Sequence, residues 1–90
     1  MLKVKNTAQF KKDYKRCVKQ GQNMELLKEI VSTLAIPMPL EEKNHQHGLR
    51  GKYSGFQECH IAPDWILIYR YDGDYLELAR TGTHANLFGI

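Results

Sequence analysis

Hydrophobic residues along this chain keep one rhythm up to about residue 36 and another after residue 48. Leu2 to Lys5 alternate apolar and basic, the period-two pattern of a short strand. The spacing then lengthens. Phe10, Tyr14, Cys17 and Val18 fall at i, i+4, i+7 and i+8, one face of a helix, with Asn6 as its expected cap and Gln9 in the capping-box position. Lys11, Lys12, Lys15, Arg16 and Lys19 crowd the other face, and Gly21 ends the helix as a left-handed cap. Asn23 opens a second helix, whose Leu27, Ile30, Val31 and Leu34 recur at three- and four-residue steps until Pro37 and Pro39 stop it. A connection this short predicts an antiparallel helical hairpin with both apolar stripes turned to a core.

Residues 37–47 are a polar link that closes on His45-Gln46-His47. Beyond Gly48, turn signals arrive at strand-length intervals: Ser54-Gly55, Pro63-Asp64 and the hairpin pair Asp72-Gly73. They delimit four strands at about 48–53, 56–61, 65–71 and 75–80. Thr81-Gly82-Thr83 then leaves the sheet, and His84 to Phe88 forms one helical turn. The order β-α-α-β-β-β-β gives an α+β fold. An N-terminal strand and a two-helix hairpin pack on a mainly antiparallel sheet of four to five strands, as one domain over residues 1–90.

Composition narrows the setting. A chain of 90 residues buries roughly 60% of its unfolded surface, enough for one core without staples. It has no apolar run long enough to span a bilayer, and Met-Leu-Lys-Val-Lys lacks the apolar segment of a signal peptide. A cytoplasmic protein with no membrane partner is expected. Cys17 and Cys59 read as free, buried thiols in that compartment. The net charge of +3 is unevenly spread: residues 1–19 carry +6 and the remainder −3. Lys11, Lys12 and Lys15 therefore make a basic face suited to a polyanion, unless that face is merely solvated.

Five polar residues stand at strand ends and corners: His47, His60, Asp64, Arg80 and His84. Sequential antiparallel strands are neighbours, so these residues can share one end of the sheet. Three imidazoles, a carboxylate and a guanidinium are sufficient for RNA cleavage without a metal. The ribose 2′-hydroxyl loses a proton as it attacks its own phosphate, and the departing 5′-oxygen gains one. Histidine does either task near neutral pH, and a guanidinium holds the phosphate oxygens. Trp65, Tyr53 and Phe88 could stack on splayed bases. A metal hydrolase using His45/His47 and His60/Asp64 as ligand pairs is the competing reading. No spacing here matches a known zinc motif, so no metal ligand and no cofactor are expected.

At these residues the chain resembles the RelE/ParE superfamily of bacterial type II toxins, and most closely its YafQ branch. The resemblance is carried by His47-Gly-Leu-Arg-Gly, by His60-Ile-Ala-Pro-Asp64-Trp65-Ile-Leu-Ile-Tyr69, and by Arg80-Thr-Gly-Thr-His84-Ala-Asn-Leu-Phe88. It implies a RelE-like fold and a ribosome-dependent mRNA endoribonuclease that cuts the codon in the ribosomal A site. It also implies a neighbouring antitoxin of ribbon-helix-helix type, and contact with operator DNA only through the toxin–antitoxin complex. By the same likeness His47, His60, Asp64 and His84 fall on acid–base positions and Arg80 on the phosphate-contacting arginine. Trp65 and Phe88 help to shape the site. Tyr53 stands where a tryptophan is common, and Gln57-Glu58 where Arg-Asp is common. ParE-like members share the fold and poison gyrase without this histidine set. A catalytically inactive antitoxin-binding module is the remaining alternative.

Overall fold

Trp65 to Tyr69 are all buried, so the strand that carries them has protein against both faces. The computed structural model describes residues 1–36 and 38–89 and shows what covers each face. Its elements are β1 (Lys3–Asn6), α1 (Ala8–Lys19), α2 (Met24–Ala35), β2 (His47–Gly48), β3 (Gln57–Ala62), β4 (Trp65–Asp72), β5 (Tyr75–Gly82) and α3 (His84–Phe88). They form one sheet in the order β1-β5-β4-β3-β2, antiparallel except where β1 joins β5 in parallel. This is the α+β architecture expected. No helix among the described residues is long and apolar enough to cross a membrane.

Alternation along the strands divides the core in two. Trp65, Leu67 and Tyr69 of β4 join Cys59 and Ile61 of β3 in the main core, with Phe10, Cys17, Leu27 and Leu34 from the helices above. Ile66 and Ile68 face the other way and meet Ala79, under a cover of Leu49, Tyr53, Phe56 and Leu87. That cover comes from α3 and the segment before β3, and the site is built on this face. Cys17 and Cys59 are free and buried, and burial pushes the Cys59 thiol up to about 12.

Several local expectations are corrected. Thr7, not Asn6, caps α1, its hydroxyl accepting from the Phe10 N–H at 3.0 Å. Gln9 makes no capping box and donates to Asp13 instead. Tyr14 and Val18, read as core, are 41% and 51% exposed, while Asp13 is fully buried. The stripe that packs is thus Phe10, Asp13 and Cys17. Asn23 caps α2 as expected, and Gly21 turns the chain with φ of 78°. The helix ends at Ala35, and Pro37, its expected stop, lies outside the described residues.

The strand expected at 48–53 is only His47–Gly48, followed by a 3₁₀ turn over Gly51–Tyr53. Gly51 and Gly55 have φ of 66° and 90°, outside any strand conformation, so the segment folds over the sheet rather than into it. At the other end β5 runs on through Thr81-Gly82 instead of leaving the sheet.

The far half of β5 is where the helical layer meets the site. Ile68 pairs with Arg80 and Tyr69 with Leu78, so Ala79 bulges between them. Such a bulge re-aims the residues that follow it. Strand β1 covers only Tyr75 to Leu78, which leaves residues 79–82 without a neighbouring strand on that side, opposite β4. Side chains of α1 and its cap take over. The Thr7 hydroxyl donates to the Ala79 carbonyl, Arg16 donates to the Thr81 carbonyl at 2.9 Å, and Asp13 accepts from the Thr81 N–H at 3.2 Å. Gly82 leaves room for this arrangement, because a Cβ there would lie 2.5 Å from the Arg16 Nη2.

Candidate active site

Strand β3 sends Cys59 and Ile61 into the core, so Glu58 and His60 point to the opposite face. Pairing of β2 with β3 sets His47 directly across from Glu58. The buried Glu58 carboxylate then lies between two imidazoles, with Oε2 at 3.7 Å from His47 Nε2 and Oε1 at 3.5 Å from His60 Nε2. Sequence reasoning noted Glu58 only as a departure from a family pattern. Its alternation with Cys59 was the signal that would have put it beside His60.

His84 opens α3, with Thr83 as N-cap and a capping box closed by Asn86. Its Nδ1 lies 2.7 Å from Asp64 Oδ1, and its backbone N–H donates to the same oxygen at 3.1 Å. With the proton on Nδ1, the carboxylate fixes the ring and leaves Nε2 free for substrate. The hydrogen bond from His84 holds the exposed Asp64 carboxyl below the usual carboxylate range. The His84 and His60 rings stand 5.6 Å apart, centre to centre. His47, His60, Asp64 and His84 are therefore joined through Glu58 and direct contacts.

Arg80 is held by partners outside the histidine cluster. Its Nε donates to Asp13 Oδ2 at 2.7 Å and its Nη2 to Oδ1 at 3.2 Å, while Nη1 donates to the Tyr53 hydroxyl at 3.2 Å. A guanidinium has five N–H donors, so two remain for a phosphate. The Asp13 carboxylate also meets Arg16 at 3.1 Å. Burial pushes Asp13 upward, but the hydrogen bonds from Arg80, Gln9 and the Thr81 N–H outweigh it and hold the carboxyl below its ordinary value. The same bond raises Arg80. Asp13 was missed because a helical apolar stripe was read with Tyr14 in it.

The aromatic residues divide. Tyr53 packs edge-on to Phe88 at 6.3 Å, and Phe88 lies 6.4 Å from the His84 ring, so this pair borders the site. Phe88 keeps 38% exposure, enough to meet a base. Trp65 does not serve that purpose. It is 1% exposed, and its indole donates to the Thr81 hydroxyl at 2.9 Å, which makes it a core residue under the site. Lys11, Lys12 and Lys15 are exposed on α1. Lys11 and Lys15 flank a groove of about 720 Å³ between the helices, lined by Val4, Tyr14 and Val31, which includes none of the histidines.

Glu58, His60 and His84 each offer one ligand atom within 4.8 Å of the others. Two imidazole nitrogens and a carboxylate oxygen suit zinc or copper(II), so this trio fits a metal better than the pairs read from the sequence.

A RelE-like sheet carrying a histidine cluster at one end defines a type II toxin of the RelE/ParE kind. Residues 2–89 match the family described as bacterial toxin of type II toxin-antitoxin system, YafQ. The mRNA interferase toxin YafQ of Escherichia coli K12 is 38% identical over 89 residues, covering 96% of this chain and 95% of that one. A copper-bound mutant toxin from Helicobacter pylori superposes with a TM-score of 0.93 at 39% identity, over 98% of this chain and all of that one. YafQ in the E. coli DinJ-YafQ complex superposes with a TM-score of 0.89 at 37% identity, over 99% and 100%. The chain belongs to the YafQ toxin family.

Proposed function

We propose that this chain is an mRNA endoribonuclease that stops translation by cutting message in the ribosomal A site, and that it is held inactive by a cognate antitoxin. The antitoxin reading is supported by the DinJ-YafQ complex of the E. coli relative, and the activity by that relative's name. The site of action is the cytoplasm, where translating ribosomes are, and operator DNA is met only through the antitoxin.

The observation that carries the chemistry is the fixed His84–Asp64 pair standing 5.6 Å, ring to ring, from His60. In-line displacement puts the attacking and departing oxygens on opposite sides of phosphorus, so two separate proton carriers are needed. On the attacking side, His60, with Glu58 and His47 beside it, takes the proton from the 2′-hydroxyl. The freed oxygen bonds to phosphorus, and the bond from phosphorus to the 5′-oxygen breaks. On the departing side His84, oriented by Asp64, delivers its Nε2 proton to that 5′-oxygen. The products are a 2′,3′-cyclic phosphate and a 5′-hydroxyl. Arg80, steadied by Asp13, offers its two free N–H groups to the phosphate as negative charge builds.

The test removes the general acid. His84→Ala should cut about 10²–10⁴-fold more slowly, the usual cost of losing such a group. A message with sulfur in place of the scissile 5′-oxygen needs no proton on departure. On it His84→Ala should approach the wild-type rate, whereas His60→Ala should stay slow. An equal defect on both messages would assign His84 to positioning and overturn this assignment.

A further inference from the structure

We infer that the cleft bordered by His45 and His60 is a nucleobase subsite, taking the base of the nucleotide whose 2′-hydroxyl attacks; this rests on the cleavage reading above. The cleft encloses about 570 Å³ and is walled by Leu26, Ile61, Ala62 and Pro63, with His60 at one end and His45 beside it. Its volume is that of an ordinary small-molecule site, roughly 300–1,000 Å³. His84 does not border it. The three rings run in sequence, His45 to His60 at 5.3 Å and His60 to His84 at 5.6 Å. If His84 serves the departing oxygen and His60 the attacking one, the space beyond His60 belongs to the attacking nucleotide.

His45 is held in place rather than free to drift. It is the one non-glycine with positive φ among the described residues, at 46°. It ends the 3₁₀ turn Glu42–Asn44, and the buried Asn44 donates to the His60 carbonyl at 2.8 Å. That hydrogen bond ties the turn to the catalytic strand. An exposed ring fixed in a costly backbone conformation over an apolar cleft is a stacking platform. Lys43 stands at the rim for a flanking phosphate. Its only partner among the described residues is Glu41, at 3.6 Å, and both side chains are more than 70% exposed, so the pair is weak competition.

The experiment compares two synthetic messages on programmed ribosomes, one intact and one with an abasic ribonucleotide immediately 5′ to the cut. Base stacking is worth about 1–3 kcal/mol, or roughly 5–150-fold. Wild-type protein should lose at least about fivefold in kcat/KM on the abasic message, chiefly in KM. His45→Asn, which tolerates the left-handed backbone, should show the same loss on the intact message and little further loss on the abasic one. His45→Tyr should recover sensitivity to the base. Wild-type protein indifferent to the base, or His45→Asn as sensitive as wild type, overturns the subsite. Wild-type protein that cuts neither message overturns the cleavage reading and the subsite with it.

Discussion

Asp13→Asn is the substitution that tests most of this structure at once. The side chain is fully buried and takes hydrogen bonds or ion pairs from Arg80, Arg16, Gln9 and the Thr81 N–H. The amide keeps the shape but turns an NH₂ toward two guanidinium groups and leaves them without a counter-charge. Removing one member of a buried pair costs about 3–5 kcal/mol. Arg80 and Arg16 retain 17% and 33% exposure, so water recovers part of the loss, and about 3 kcal/mol is expected. In a domain of this size each kcal/mol lowers Tm by about 4–8 °C, so a fall of about 12–24 °C should follow. Urea unfolding measures the free energy directly, as a lower midpoint at unchanged slope. The acid limb gives a second reading. A carboxyl lower in the folded than in the unfolded chain stabilises the fold above its ordinary value, here 3.8, and that stability is lost as pH falls toward the folded value. Wild-type stability should therefore drop with acid below about pH 4, and the variant should lack that part of the slope. A loss under about 1 kcal/mol, the range of exposed pairs, or an unchanged acid slope would refute the account of Asp13 as the tie between helix and sheet.

Replacing Lys11, Lys12 and Lys15 together with Gln should weaken ribosome binding and lower its salt slope by roughly one per lost phosphate contact, while fold stability changes by only a few tenths of a kcal/mol. Affinity that is unchanged across several salt concentrations would reduce this face of α1 to a solvated surface. Zinc or copper(II) should inhibit cutting, because a metal on Glu58, His60 and His84 would occupy the nitrogen lone pairs that the proposed proton transfers use, and EDTA should restore the rate. Stimulation by zinc, with loss of activity in EDTA at fixed free magnesium, would turn the trio into a catalytic metal centre.

The sheet was legible because turn signals punctuate it at strand-length intervals. Trp65 to Tyr71 and Tyr75 to Arg80 read as strands, and they are. The segment 48–53 misled because turn signals on either side were taken to delimit a strand, whereas Gly51 has a positive φ, a backbone property that composition only hints at. Within the site, His60 and Asp64 stood out as polar residues at a turn between apolar strands. Glu58 and Asp13 did not, since each is a charge whose burial depends on partners that folding supplies, His47 and His60 for Glu58 and the distant Arg80 for Asp13. A buried acid looks like a surface acid until its arginine is found. Trp65 failed in the other direction: a large aromatic near catalytic residues invites a stacking role, and only its packing against Thr81 shows it to be core.

The bonds by which Thr7 and Asp13 close the open edge of β5 join residues 72 and 68 positions apart in sequence. Contacts of that reach form late, because the chain between them must first surrender its freedom without compensation. The hairpin of β4 and β5 assembles early and locally, yet it carries Arg80 with no carboxylate to aim it. On the reading proposed above, a half-folded chain with β2 and β3 added to that hairpin displays the strand-borne His47 and His60 and still cannot cut. During refolding, nuclease activity should rise only with the slowest kinetic phase, in step with the docking of the first helix.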